Sequence, residues 1–201
     1  MDDLVSRMQE KYQANIAHAQ HVARLALRLY DGLGRLTHVV TAHDRAVLEH
    51  AAQLHDIGHY VHSKKHHLHS CHLIRHDRLL ESWPEELRLW VSVLALNHRK
   101  KKVRLEDLPA KHHARALTLI ALLRMADALD YEHDQGTKLE RVEVEEEERR
   151  IDLYLSGFEV EKNAEHLLGK FRLGLLTWNV DIVLHGASDW VTLRTQGAPT
   201  Q

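Results

Sequence analysis

Residues 116–129, ALTLIALLRMADAL, are the most constraining stretch of this 201-residue chain. Read as a helix, they place apolar side chains on nearly every face, and such a helix must lie at the centre of its fold. Arg124 and Asp127 are the charges inside the run. An unpaired buried carboxylate costs far more than the about 5–15 kcal/mol of a domain's net stability, so Asp127 must meet a cation. Arg124, three residues back, is one such partner. A metal ion is the other, and this helix alone does not choose between them.

Helical spacing extends over the first 135 residues, interrupted by short loops. It predicts a first helix from about Leu4 to Tyr30, stopped at Asp31-Gly32-Leu33-Gly34. A second starts at Thr41, where Thr41 and Asp44 have capping-box spacing, and reaches His55-Asp56, with Gly58 just beyond. A third covers His66 to Glu81. Ser82-Trp83-Pro84-Glu85 reads as another capping box and opens a fourth, ending at Asn97 or His98. The central helix spans His112 to Tyr131. After Gly136 the apolar period changes to two: Val142 and Val144, then Ile151, Leu153 and Leu155, around a charged turn at Glu145–Arg150. A helix over Glu161 to Phe171 follows, then alternation from Trp178 to Leu184 and a strand at Trp190–Arg194. The expected architecture is mainly α, a helical domain over 1–136 with a small α+β subdomain over 137–201. Gln196–Gln201 read as a frayed end.

The longest apolar runs fall far short of the ~20 residues a membrane helix needs, and no basic and apolar leader opens the chain. A lone Cys71 agrees with a cytoplasmic location. Net charge is −2, and the short basic cluster lacks interleaved aromatics, so duplex nucleic acid is not expected as a partner.

Histidine is the anomaly, with 19 residues. Helical phase separates them. His18 shares a stripe with Ala14, Val22, Leu25 and Leu29 and points inward, whereas His21 aligns with Arg24 and Arg28 on the solvent side. His98 extends the Leu87, Val91, Leu94 stripe. By itself it reads as a satisfied core histidine or as a ligand. His55-Asp56 ends an apolar helix where Gly58 lets the chain turn away. Two imidazoles and two carboxylates make a mixed N/O site suited to Mn, Fe, Co or Zn rather than to a soft thiolate metal.

The order His18, His55-Asp56, Asp127, set in HVARLALRLYDGL, QLHDIGHYVHSKKHHLHSCHLI, LNHRKKK and LLRMADALD, resembles the HD-domain phosphohydrolase superfamily. More narrowly, residues 11–160 resemble the C-terminal HD region of the exopolyphosphatase / guanosine pentaphosphatase (Ppx/GppA) family, here as a stand-alone protein. The resemblance implies an HD-domain helical bundle with a small C-terminal α+β appendage. It implies metal ligands His18, His55, Asp56 and Asp127. Where two ions are held, it implies a bridging Asp56 with His69 and His98 completing the second site, and His66 competes with His69 for that role. Asp56 and His59 take catalytic positions. Lys64, Lys65, Arg99, Lys100 and Arg124 are candidates to receive phosphate oxygens. The implied cofactors are one or two divalent ions, Mn or Fe ahead of Co, Mg or Zn.

The actin-like ATPase-type domains that perform hydrolysis in that family have no counterpart in these residues, so the parent activity does not carry over. The expected function is hydrolysis of a phosphate ester or phosphoanhydride, of nucleotide, guanosine polyphosphate or polyphosphate type, by a metal-activated hydroxide. The alternative is a non-catalytic module that binds a phosphate ligand or dimerises. The expected partner is a phosphorylated small molecule, with no membrane, and a homodimer is the candidate assembly.

Overall fold

The computed structural model describes residues 2–37 and 41–195. In chain order the elements are α1 (Asp2–Lys11), α2 (Ile16–Thr37), α3 (Ala42–Leu54), α4 (His66–His76), α5 (Glu85–Asn97), α6 (His113–Leu129), β1 (Lys138–Glu145), β2 (Arg150–Ser156), α7 (Ala164–Trp178), β3 (Asp181–His185) and β4 (Trp190–Leu193). α6 is the all-round apolar stretch. Its apolar residues from Leu119 to Leu129 are at most 1% exposed, and α2, α3, α5 and α7 all pack on it.

The first helix differs from its expected course. It breaks between α1 and α2, where Gln13 takes φ 48° and Asn15 Oδ1 accepts the His18 amide at 3.2 Å. α2 then runs on past Gly32, because β1 crosses there and a Cβ on Gly32 would strike the Val142 side chain. The Thr41 capping box forms, with the Asp44 amide donating to Thr41 Oγ1 at 3.1 Å and the Thr41 amide to Asp44 Oδ2 at 3.3 Å. The Ser82 box does not, since α5 begins behind Pro84 without a side-chain cap. α4 stops at His76, earlier than expected. Asp77 turns extended, and its carboxylate accepts the Leu79 amide at 2.9 Å and Lys11 Nζ at 2.6 Å.

The C-terminal strands form one sheet of order β1-β2-β3-β4. β1/β2 and β3/β4 are antiparallel, but β2 and β3 are parallel. A parallel pair needs a crossover, and α7 supplies it. Trp178, expected in a strand, ends that helix. Ile151, Leu153, Ile182, Leu184 and Leu193 are fully buried and belong to the same hydrophobic cluster as Val5 and Met8 of α1.

The expected fold, an HD helical bundle with an appended α+β piece, is therefore corrected. Helices and a mixed four-stranded sheet share one core, with β1 against α2 and α7 against α6. The reason is physical. Period-two strands present one apolar face that must be covered, and the helices are the layer that covers it. The expected fraying of 196–201 lies outside the described residues. Among the described residues, no helix is long and apolar enough to cross a membrane.

Candidate metal centre

α2, α6 and the turn after α3 converge on Asp56. His18 comes from α2, Asp127 from α6, and His55-Asp56 from the end of α3, before a 3-10 turn over Ile57–Tyr60. That turn can pack closely because residue 58 is glycine. A Cβ there would collide with the His66 carbonyl and the Ser70 amide, and the Gly58 amide instead donates to Ser70 Oγ at 2.9 Å.

Asp56 presents its two oxygens to two different sets of groups. Oδ2 lies 3.5 Å from His55 Nε2 and 4.0 Å from His18 Nε2, while Asp127 Oδ1 stands 3.5 Å and 3.7 Å from the same nitrogens. Oδ1 of Asp56 lies 3.1 Å from His66 Nε2, 3.5 Å from His98 Nε2 and 3.7 Å from His59 Nε2. Two groups could hold a metal ion, His18/His55/Asp56 and Asp56/His59/His66, and they share Asp56.

The rings are oriented from behind. His55 Nδ1 donates to the Ala52 carbonyl at 2.8 Å, His98 Nδ1 to the Ala95 carbonyl at 2.7 Å, and His18 Nδ1 to Asp130 Oδ2 at 2.7 Å. Each bond leaves Nε2 facing the centre, as outer partners do for metal-binding histidines. His66 Nδ1 sits between an acceptor, the Ser63 carbonyl at 3.1 Å, and a donor, Arg99 Nη1 at 3.2 Å. A cation at Nε2 would require Nδ1 to carry the proton and bond Ser63.

These donors fit a divalent cation. Nε2 of His18 and of His55 are buried without a hydrogen-bond partner, facing carboxylate oxygens at distances too long for a hydrogen bond. Nε2 of His66 and His98 lie 3.0 Å apart. Electron-rich atoms gathered in this way need a shared positive charge. Nitrogen and carboxylate oxygen suit Mn²⁺, Fe²⁺, Co²⁺ or Zn²⁺.

Protons feel the same field. Burial pulls the His18 imidazole down, but the carboxylates of Asp127, Asp130 and Asp56 outweigh it and raise its pKa to about 9. Burial and the neighbouring His55 charge press His98 down to about 3. Burial would raise the carboxyls of Asp56 and Asp127, yet the surrounding imidazoles hold both below the usual range.

Asp127 also meets a cation of the chain itself, and it is not Arg124. Lys170 of α7 bonds Asp127 Oδ2 at 2.6 Å. Arg124 donates instead to the carbonyls of Asn97 and Lys100, both at 2.7 Å, and so anchors the segment that follows His98. Arg99, Lys100 and Arg124 line a cleft beside α7. Lys64 and Lys65 lie apart from it, exposed in the turn before α4. His69 is half-buried and in neither metal-capable group, whereas His66 is in one. His21, expected in solvent, is 6% exposed.

Three participants carry little sequence signal. Asp130 is one helical turn beyond Asp127, a spacing that marks it as a neighbour but not as the His18 partner. His133 stacks on His18 at 3.7 Å between ring centroids, from a turn with no periodicity. Lys170 is one of two cations on α7, with Arg172.

A family model described as Ppx/GppA phosphatase, domain III, matches residues 2–174. A guanosine-5'-triphosphate,3'-diphosphate pyrophosphatase of Vibrio campbellii is 25% identical over 127 residues, which are 63% of this chain and 25% of that protein. One of the same name from Vibrio vulnificus is 30% identical over 137 residues, 65% of this chain and 27% of that protein. The chain thus spans about a quarter of the length of these curated relatives.

Proposed function

We propose, since this chain belongs to the family of Ppx/GppA phosphatase domain III, that it is a metal-dependent phosphohydrolase of HD type acting on phosphate esters or phosphoanhydrides. The relatives' printed names, pyrophosphatases of a guanosine polyphosphate, support a substrate carrying several phosphates. The observation that carries the reading is Asp56, whose two oxygens face two separate sets of imidazoles. His18, His55, Asp56 and Asp127 would hold one ion, and Asp56, His59, His66 and His98 a second, with Mn²⁺ or Fe²⁺ favoured.

A divalent ion in such a site supplies Lewis-acid charge and lowers the pKa of water towards ~7. The chain's own residues do the rest. Asp130, Ala52 and Ala95 fix which imidazole nitrogen faces inward. Lys170 takes Asp127 Oδ2, so that Oδ1 is the oxygen turned to His18 and His55. His59, half exposed beside Asp56 and stacked on His66 at 3.8 Å, stands at the mouth, where substrate arrives. Arg99 and Lys100 present positive charge on the same side.

Elemental analysis of protein purified without chelator, with Mn²⁺-dependent turnover of pyrophosphate and of a general phosphodiester, tests the proposal. The expected result is close to two equivalents of metal, with turnover abolished in both Asp56→Ala and Asp127→Ala. Bound metal with no turnover of any phosphorylated compound would overturn the enzyme and leave a phosphate-binding module.

A further inference from the structure

α4 carries imidazoles that the Asp56 centre does not use. It reads HHLHSCHLIRH over His66–His76. His72 and His76 stand four residues apart in it, and such positions of a helix lie one above the other on one face. Both side chains are exposed, with ring centroids 4.8 Å apart and planes at 46°. Among the described residues neither ring makes a hydrogen bond or an ion pair.

The helix beneath the two rings is fixed. Ser70 and Ile74, on its inner side, are 0% exposed, and Ser70 Oγ accepts the Gly58 amide at 2.9 Å. The charges next to His76 in sequence are engaged elsewhere. Arg75 pairs with Asp107 at 2.9 Å and donates to Ser92 Oγ at 3.0 Å, while Asp77 takes Lys11 and Tyr12. His76 is the last residue of α4, where the partial negative charge of the helix end favours a cation. Two imidazoles on consecutive helical turns are a chelate, the arrangement that the two histidines of an H-x-x-x-H zinc helix use. Rings this close can bring one nitrogen each to the about 2.0–2.1 Å of a metal–imidazole bond.

We infer that His72 and His76 form a surface site for one divalent late transition ion, of the Ni²⁺, Cu²⁺ or Zn²⁺ class, separate from the Asp56 centre. His76 is at the opposite end of α4 from His66, about 15 Å along the axis. The donors also differ. The centre combines imidazoles with carboxylates, which suits Mn²⁺ or Fe²⁺, whereas this pair offers nitrogen alone. Affinity for such a pair rises from Mn²⁺, the weakest, to Cu²⁺, the strongest. Water completes the coordination shell, so the ion exchanges readily and dialysis empties the site.

Calorimetric titration of the untagged, dialysed full chain tests this, with Ni²⁺ and Mn²⁺ as probes. One equivalent of Ni²⁺ beyond the resident metal is expected to bind, with no matching equivalent of Mn²⁺. H72Q and H76Q should each weaken that equivalent about tenfold or more, because either leaves a single imidazole in place of a chelate. Resident metal, read by elemental analysis, should be unchanged in both. Both side chains are exposed, so the variants should melt with the parent, and the loss of Ni²⁺ then reports ligands rather than folding. H43Q removes an exposed histidine of α3 that is followed one turn later by Val47, and it should lose nothing. No additional Ni²⁺ equivalent, an undiminished one in H72Q and H76Q, or equal weakening by H43Q would overturn the site. The hydrolase reading stands or falls separately, on turnover at Asp56.

Discussion

The His18 ring and the Asp130 carboxylate bond at 2.7 Å, and neither side chain is more than 1% exposed. The bond fixes which nitrogen of His18 faces Asp56 and Asp127. Asp130→Asn keeps the shape and removes the charge. Its Mn²⁺ affinity should fall about 10–100-fold, the usual effect of losing an outer partner of a metal-binding histidine. Competition with a chromophoric chelator measures it, and an affinity within twofold of the parent would remove Asp130 from the centre.

His66 and His69 are separated by one helical turn, but only His66 lies at 3.1 Å from Asp56 Oδ1. His66→Ala should lose one of two bound equivalents, and His69→Ala should keep both. Elemental analysis of the two variants side by side decides the matter. The reverse pattern would assign the second ion to His69.

Asp77 ties α1 to the turn after α4 through Lys11 and Tyr12. Burial would raise its carboxyl, but the Lys11 and Tyr12 bonds hold it below its ordinary 3.8. A carboxyl lowered on folding contributes stability above its unfolded pKa and loses it as pH falls through the folded value. Asp77→Asn should cost about 1–3 kcal/mol at pH 7. The difference from the parent should shrink below about pH 4, and paired urea titrations across that range would show it.

Gly58 has no room for a side chain between the His66 carbonyl and the Ser70 amide. Gly58→Ala should cost about 1–3 kcal/mol or more from overpacking and displace the start of α4. Thermal melting and metal content should fall together. A melting loss with the metal fully retained would mean that α4 moves without His66.

Thr41 caps α3 at the end opposite His55 and Asp56. Thr41→Ala should lower stability by about 1 kcal/mol and leave metal content unchanged. Chemical denaturation and elemental analysis of the same preparation test both parts.

Much of the helical body was legible because its signals are local. The apolar run of α6, the Thr41 cap and the inward stripe of His18 each depend on residues within a few turns of one another. Asp127's need for a cation was equally legible, but its protein partner was not. Lys170 arrives from 43 residues away through a crossover that no local pattern announces. That His66 rather than His69 stands beside Asp56 depends on how α4 starts, where Lys65 takes φ 65° before the first residue of the helix. The strands were readable as strands. Their parallel pairing and their share in the helical core depend on how the sheet is covered, which a period-two pattern does not encode.

The β2–α7–β3 crossover has a consequence for biosynthesis. A chain emerging from the ribosome offers α1 to α6 first, so Asp127 can be enclosed before Lys170, the lysine that bonds it, has been made. During that interval the Asp127 carboxylate lacks one of the positive charges that face it in the finished fold. Synthesis of the last third then delivers Lys170, and with it the strands that cap the core.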